Sequence, residues 1–246
     1  MHPAVAVVIP AKDESERIAA TIASARAIPG VDLIVVVDDG STDGTGQVAR
    51  NAGALVVTHA RNRGKGAAME TGAAAVSVHE QEERDGAGPR DRTNPRALLF
   101  IDADLGETAA NTAPLVGPIL ADEADMTIAI LPRQATPGGG RGLVVNLARN
   151  GIVAATGWTP TQPLSGMRCL TRAAFDAALP LAPGWGVETA LTIDMLQKGF
   201  RVQEVPCELH HRVTGTDLRA QVHRAKQYRD VARALLVRRA RAALSR

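Results

Sequence analysis

Asp102, Ala103 and Asp104 follow directly on a run of five apolar residues, Ala97-Leu98-Leu99-Phe100-Ile101. Such a run reads as a buried parallel strand. Two carboxylates at its carboxyl end emerge where open α/β sheets hold their ligands. The two acids are expected to diverge onto different sides of the backbone and to take separate jobs. Carboxylates in that place suit a hard divalent cation, and such a cation suits a diphosphate. An isolated Asp-x-Asp is also common in ordinary strand-to-loop turns, so the neighbours decide its weight. Three further polar strand ends accompany it: Pro10-Ala11-Lys12-Asp13-Glu14, Asp38-Asp39-Gly40-Ser41 and the Gly-rich turn Asn62-Arg63-Gly64-Lys65-Gly66.

Those ends need strands behind them. Val5 to Ile9 is a first buried strand, stopped by Pro10, and helical spacing follows over about 13–27 with Ile18, Ile22 and Ala25 on one face. Leu33 to Val37 is a second strand; Ser41 or Thr42 can cap a helix over about 43–52. Residues 54–58 form a third strand, and the Gly-rich turn then opens an Ala-rich helix to about His79. This alternation implies parallel pairing with right-handed crossovers. The fold class is therefore α/β, a single Rossmann-like, mostly parallel sheet with flanking helices.

Two segments break the rhythm. Residues 80–96 are charged and rich in Gly and Pro, and are expected to be a disordered surface insert. Residues 133–142 hold three consecutive glycines beside two arginines, as a mobile lid or a plain linker. Beyond them come a helix over 143–155, a strand over 165–170 and a short helix capped by Thr171. Gly184-Trp185-Gly186 leads into a helix over 187–198 closed by Gly199, then a strand over 201–205 and a basic helix from Leu218 to the end.

At 246 residues and 45% hydrophobic content the chain can build one large core, but aromatics are only 2%. That poverty argues against a base-stacking nucleic-acid binder, and a net charge of +2 names no partner. Cys169 and Cys207 make neither a metal site nor a disulfide framework and are expected to be buried in a reducing compartment. No leader is evident at Met1 to Pro10, and no stretch approaches the ~20 apolar residues that span a bilayer. A cytoplasmic chain is expected.

The four strand ends, in order, resemble the nucleotide-sugar half of family 2 glycosyltransferases with the GT-A fold, over roughly residues 4–131. Gln162-Pro163-Leu164-Ser165-Gly166, Gly184-Trp185-Gly186-Val187-Glu188 and His211-Arg212 resemble the acceptor half of glucosyl-3-phosphoglycerate synthases. Ser165-Gly166-Met167-Arg168 is also similar to dolichol-phosphate mannose synthases. The resemblance implies one GT-A domain: a nucleotide-sugar half over 1–131, an acceptor half over 132–216 and a basic C-terminal helix over 217–246.

It also implies a reaction, the transfer of a hexose from a nucleotide-diphospho-sugar such as UDP-glucose, with Mg2+ or Mn2+, to a phosphorylated small molecule or a lipid phosphate. Pro10, Ala11, Glu14, Asp38, Asp39, Lys65, Asp102 and Ala103 would hold the donor. Glu14 and Asp39, as acceptor-only carboxylates, would meet base and ribose, and Lys65 would lie near the diphosphate. Asp104 would bind the metal with His211 as a further ligand, and Asp102 would hold the ribose or a metal-bound water. Arg141, Ser165, Gly166, Arg168 and Arg212 would hold the anionic acceptor. Arg141 and Glu188 would join Asp104 in catalysis, Glu188 as base or as a group orienting the sugar.

Two positions depart from the phosphoglycerate pattern. Leu143 stands where the resemblance implies an acceptor-binding threonine, and Val213 where it implies an acceptor-binding asparagine. Phosphoglycerate is therefore expected to be a poor acceptor. In the last helix Leu218, Val222, Ala225, Ala232, Leu235 and Leu236 recur at helical spacing among many arginines. It is expected to pack on the domain; the alternative is a peripheral contact with an anionic membrane face. A homodimer is compatible with the sequence. A nucleotidyltransferase should carry its Gly-rich loop directly after the first strand, where this chain is acidic and Gly-free. A non-catalytic nucleotide-sugar-binding protein would share every donor residue.

Overall fold

The computed structural model describes residues 4–86, 94–132, 142–209 and 218–244. Seven strands form one sheet: β1 (Val5–Ala11), β2 (Val31–Asp38), β3 (Leu55–Thr58), β4 (Ala97–Phe100), β5 (Met126–Ile130), β6 (Arg168–Leu170) and β7 (Val202–Pro206). Their order is β3-β2-β1-β4-β6-β5-β7. Every pairing is parallel except the two made by β6, which runs antiparallel between β4 and β5. Helices α1 (Ile18–Ala25), α2 (Thr45–Asn51), α3 (Lys65–Asp85), α4 (Val116–Leu120), α5 (Leu143–Thr156), α6 (Arg172–Ala178), α7 (Val187–Gln197) and α8 (Leu218–Leu244) complete the fold.

The central strands are apolar on both faces because both faces are covered. Val5, Val7 and Ile9 of β1 join Ile18 and Ile22 of α1 in one core layer. Ala6 and Val8 join Met69, Ala73 and Val76 of α3 in the other. Gly72 lets α3 come that close, since a Cβ there would overlap the Val8 side chain.

Pro10 does not stop β1, which runs on to Ala11. Ala11 O accepts from Asp39 N on the β2 side, so Pro10 faces the other way. There the last β4 pair is Val8 with Phe100, and the missing N–H falls beyond it. Helix α1 starts at Ile18 rather than near 13, because Asp13 sits at φ 54.

The expected insert over 80–96 is largely ordered architecture. Helix α3 continues to Asp85, Glu80 and Arg96 are buried, and residues 87–93 lie outside the described residues. Arg96 N donates to Glu80 Oε1 at 2.8 Å. The Arg96 guanidinium pairs with Asp32 and Glu83 at 2.9 Å each, and Arg172 reaches Glu80 at 3.4 Å. Charges that look solvated in the sequence are buried as mutually compensating partners.

Helix α8 packs on α5 and α7 through Val231 and Leu235, against Ala148, Ile152 and Ile193. Arg238 lies on the same inward face and donates to Asp194 at 3.0 Å. Leu236, expected on the packed face, is exposed instead. Among the described residues no helix is long and apolar enough to cross a membrane.

Candidate active site

A cavity of about 560 Å3 opens where β1, β2 and β4 end. Pro10, Ala11, Lys12, Glu14, Asp39, Asn62, Gly64, Lys65, Ala68, Asp102, Ala103 and Asp104 line it. Val144, Leu164, Gly166, Gly184, Trp185, Glu188 and Gln227, from later in the chain, complete the lining. The tertiary structure thus brings all four polar strand ends, the Gly-rich turn among them, to one place.

The β1 and β2 ends are clasped together. Asp13 N donates to Ser41 Oγ at 3.0 Å, and Thr42 N donates to Asp13 Oδ1 at 2.9 Å. Glu14 N donates to Thr45 Oγ1 at 2.8 Å, and Ser15 N to Asp43 Oδ2 at 2.9 Å. These bonds hold Glu14 at the cavity edge without involving its carboxylate.

Asp39 is buried and shapes the Gly-rich turn. Its Oδ1 accepts from Arg63 N, and its Oδ2 from Gly64 N, both at 2.8 Å. Oδ1 also lies 2.7 Å from His59 Nδ1, while His59 Nε2 meets Thr71 Oγ1 at 2.9 Å. Burial pushes the Asp39 carboxyl up, but these bonds outweigh it and hold it below its ordinary 3.8. The sequence reading missed His59; its one signal is its place immediately after β3. Asp38 corrects the opposite way: it does not line the cavity. Its Oδ1 accepts from Ser41 N at 2.9 Å, and a Cβ at Gly46 would overlap its Oδ2. It builds the turn that presents Asp39.

Lys65 opens α3, with Nζ 2.8 Å from Asp102 Oδ1 and 3.2 Å from Glu188 Oε1. Burial alone would lower its pKa, but the two carboxylates hold it above the usual lysine range. A Cβ at Gly166 would collide with this ammonium. Glycine there leaves the space that the ammonium occupies, and its backbone angle is not the reason.

Asp102 and Asp104 do not diverge: both line the cavity. Strand β4 ends at Phe100 and the chain turns at Ala103 and Asp104, so strand alternation does not govern the two acids. Asp102 is paired with Lys65, whereas Asp104 makes no ion pair with any described residue. Among the described residues no group of three His, Cys, Asp or Glu could hold a metal. One free carboxylate beside space for a diphosphate nevertheless fits Mg2+ or Mn2+, because Mg2+ is commonly held by one or two carboxylates plus phosphate oxygens.

Glu188 lies in the first turn of α7, after a tight turn over Gly184–Gly186, and is buried beside Lys65. Arg168 does not line the cavity. It is 1% exposed, and its guanidinium donates to Ser165 O and Thr192 Oγ1 at 2.9 Å each. Burial lowers its pKa to about 10. Strand β6 turns it toward Thr192 of α7, a burial that the apolar Met167 and Cys169 around it could have signalled. Ser165 is also buried and does not line the cavity; only Gly166 of that motif does. Arg141, His211 and Arg212 lie outside the described residues.

Residues 6–146 match the model of glycosyl transferase family 2. The chain belongs to this family. Glucosyl-3-phosphoglycerate synthase from Mycobacterium tuberculosis is 31% identical over 218 residues, covering 79% of this chain and 61% of that protein. Glycosyltransferase AglJ from Haloferax volcanii is 29% identical over 219 residues, covering 87% and 65%. These matches span less than two thirds of either relative. The crystal structure of the Mycobacterium tuberculosis synthase with Mn2+, uridine diphosphate and phosphoglyceric acid superimposes with a TM-score of 0.75 at 29% identity. That match covers 96% of this chain and 78% of the other. The sheet and its helices are thus those of the GT-A fold. The family 2 match contains the cavity residues from Pro10 to Val144, whereas Gly166, Trp185, Glu188 and Gln227 lie beyond it.

Proposed function

We propose that this family 2 protein transfers a hexose from a UDP-sugar to a phosphate-bearing acceptor with the help of Mg2+ or Mn2+. The observation that carries this reading is Asp104, unpaired among the described residues, beside the Lys65–Asp102 pair in one cavity. The solved relative with Mn2+, uridine diphosphate and phosphoglyceric acid supports the donor class and the metal.

Asp104 would hold the cation, with His211 as a further candidate ligand. When bound, the cation neutralises the departing diphosphate. Lys65 adds a second positive charge, fixed before the donor arrives, so little reorganisation is needed. Glu14 and Asp39 take the nucleoside through N–H and O–H donors. Glu188, held by Lys65, orients the sugar face opposite the leaving group. Arg141 and Arg212 are the candidates for the acceptor phosphate, since Arg168 is buried away from it. Leu143 is exposed beside Val144, which lines the cavity. An apolar group there cannot bond a charged acceptor, so an acceptor other than phosphoglycerate, small or lipid-borne, is favoured.

Thermal shift and calorimetry with UDP and UDP-glucose, with and without Mn2+, test this reading. Metal-dependent stabilisation followed by sugar transfer is the expected result. Pyrophosphate release from a nucleotide triphosphate would point to a nucleotidyltransferase. Binding without turnover of any acceptor or of water would point to a sensor.

A further inference from the structure

Helix α8 does more than cover the domain. Asp230 Oδ2 accepts from Trp185 N at 3.3 Å, in the turn that precedes Glu188. Two glycines of that turn make the contact close. A Cβ at Gly184 would overlap the Asp230 carboxylate, and one at Gly186 would lie 2.7 Å from both Ala234 Cβ and Asp230 O. Gly184 also needs its left-handed backbone, at φ 65. One turn before Asp230, Gln227 itself lines the cavity. Trp185 lines it too and is 40% exposed.

We infer that α8 is a working wall of the transfer site, with Gln227 a substrate-contacting group and Asp230 a positioning residue that sets Trp185 and Glu188. The inference rests on the proposed transfer only for the identity of the bound sugar and acceptor. Its logic is mechanical. The turn has no side chains of its own to hold it except Trp185, so its shape is imposed by the helix packed against it. Glu188 follows three residues after Trp185 and is tethered to Lys65 across the cavity. A shift of α8 would therefore move the acceptor-side wall while leaving Asp39, Asp102 and Asp104 in place. Small misplacements of such groups cost rate steeply.

The test uses the full chain in a Trp158→Phe background, which leaves Trp185 as the one tryptophan, because the sequence has two. Asp230→Ala should red-shift Trp185 emission and increase its quenching by acrylamide. It should also lower turnover of UDP-glucose about 10- to 100-fold. Turnover is read with 3-phosphoglycerate, with farnesyl phosphate and with water as acceptors. Calorimetric affinity for UDP with Mn2+ should stay within about twofold, as expected for a site that does not share the contact. Asp230→Asn, which keeps a carbonyl to accept from Trp185 N, should restore emission and turnover. Gln227→Ala should lower turnover without moving the emission.

Unchanged Trp185 emission in Asp230→Ala would overturn the inference, as would equal loss of UDP affinity. Rescue failing in Asp230→Asn despite an intact fold would overturn the hydrogen bond as its basis. If the reference protein turns over nothing, the proposed transfer fails, while the emission readings still decide whether Asp230 positions the wall.

Discussion

The Lys65 ammonium lies 2.8 Å from Asp102 Oδ1, and this pairing distinguishes the two aspartates of the Asp102-Ala103-Asp104 segment. Asp102 already has its counter-charge. Asp104 lines the same cavity without one among the described residues.

Asp104→Ala should therefore abolish the metal-dependent gain in UDP affinity and remove most transfer. Metal stabilisation of a leaving diphosphate is worth several kcal/mol, so a loss of about 100-fold or more is expected. Calorimetry with UDP, with and without Mn2+, reads the first effect directly. An unaltered Mn2+ dependence in the variant would move the metal elsewhere.

Lys65→Met should weaken donor binding by about 1.5–3 kcal/mol, about 10- to 150-fold, the range for a hydrogen bond to a charged group. Gly166→Ala should act in the same direction with every charge retained, because its methyl takes the space of the ammonium. UDP titrations on both variants check this. Wild-type affinity in Gly166→Ala would show that Lys65 has another place to sit.

The acid stability of the donor side should depend on Asp39. Its folded pKa is depressed, so its stabilisation is complete above the unfolded value of 3.8 and is lost as pH falls through the folded value. Urea unfolding from about pH 5 to about pH 2.5 should therefore fall less steeply in Asp39→Asn. Asp13, Asp43 and Asp125 are depressed too, so part of the slope should persist. Parallel curves for the two proteins would contradict the bonding drawn around Asp39.

Leu143 and Val213 should make 3-phosphoglycerate a poor acceptor. Two missing bonds to a charged substrate, at about 1.5–3 kcal/mol each, correspond to about 150-fold or more. Transfer assays comparing 3-phosphoglycerate with farnesyl phosphate, repeated on the double variant Leu143→Thr with Val213→Asn, test this. Efficient glucosylation of 3-phosphoglycerate by the unaltered chain would refute the argument.

That the polar strand ends line one cavity was legible because it depends on local pattern. Apolar runs ending in Ala11, Asp39 and Asp102 give parallel strands, and parallel strands deliver their carboxyl ends to one edge. Asp38 and Asp39 show where local pattern stops. Both carry the same group, and only the turn to Ser41 determines which of them faces the cavity. Arg168 failed for a related reason: a three-residue strand inserted between two others buries whatever it carries.

The order of elements, the α/β class and the residue types available for metal and phosphate all follow from the chain read alone, since they rest on hydrophobic period and on side-chain chemistry. Pairings between distant segments do not. Glu80 with Arg96, His59 with Asp39, and Asp230 with Trp185 are set by which surfaces meet when the helices close on the sheet. Lys65 is the clearest case: its carboxylate partners lie 37 and 123 positions away in the sequence, and no local signal connects them. Packing brought them within reach because Gly166 has no side chain to keep them apart.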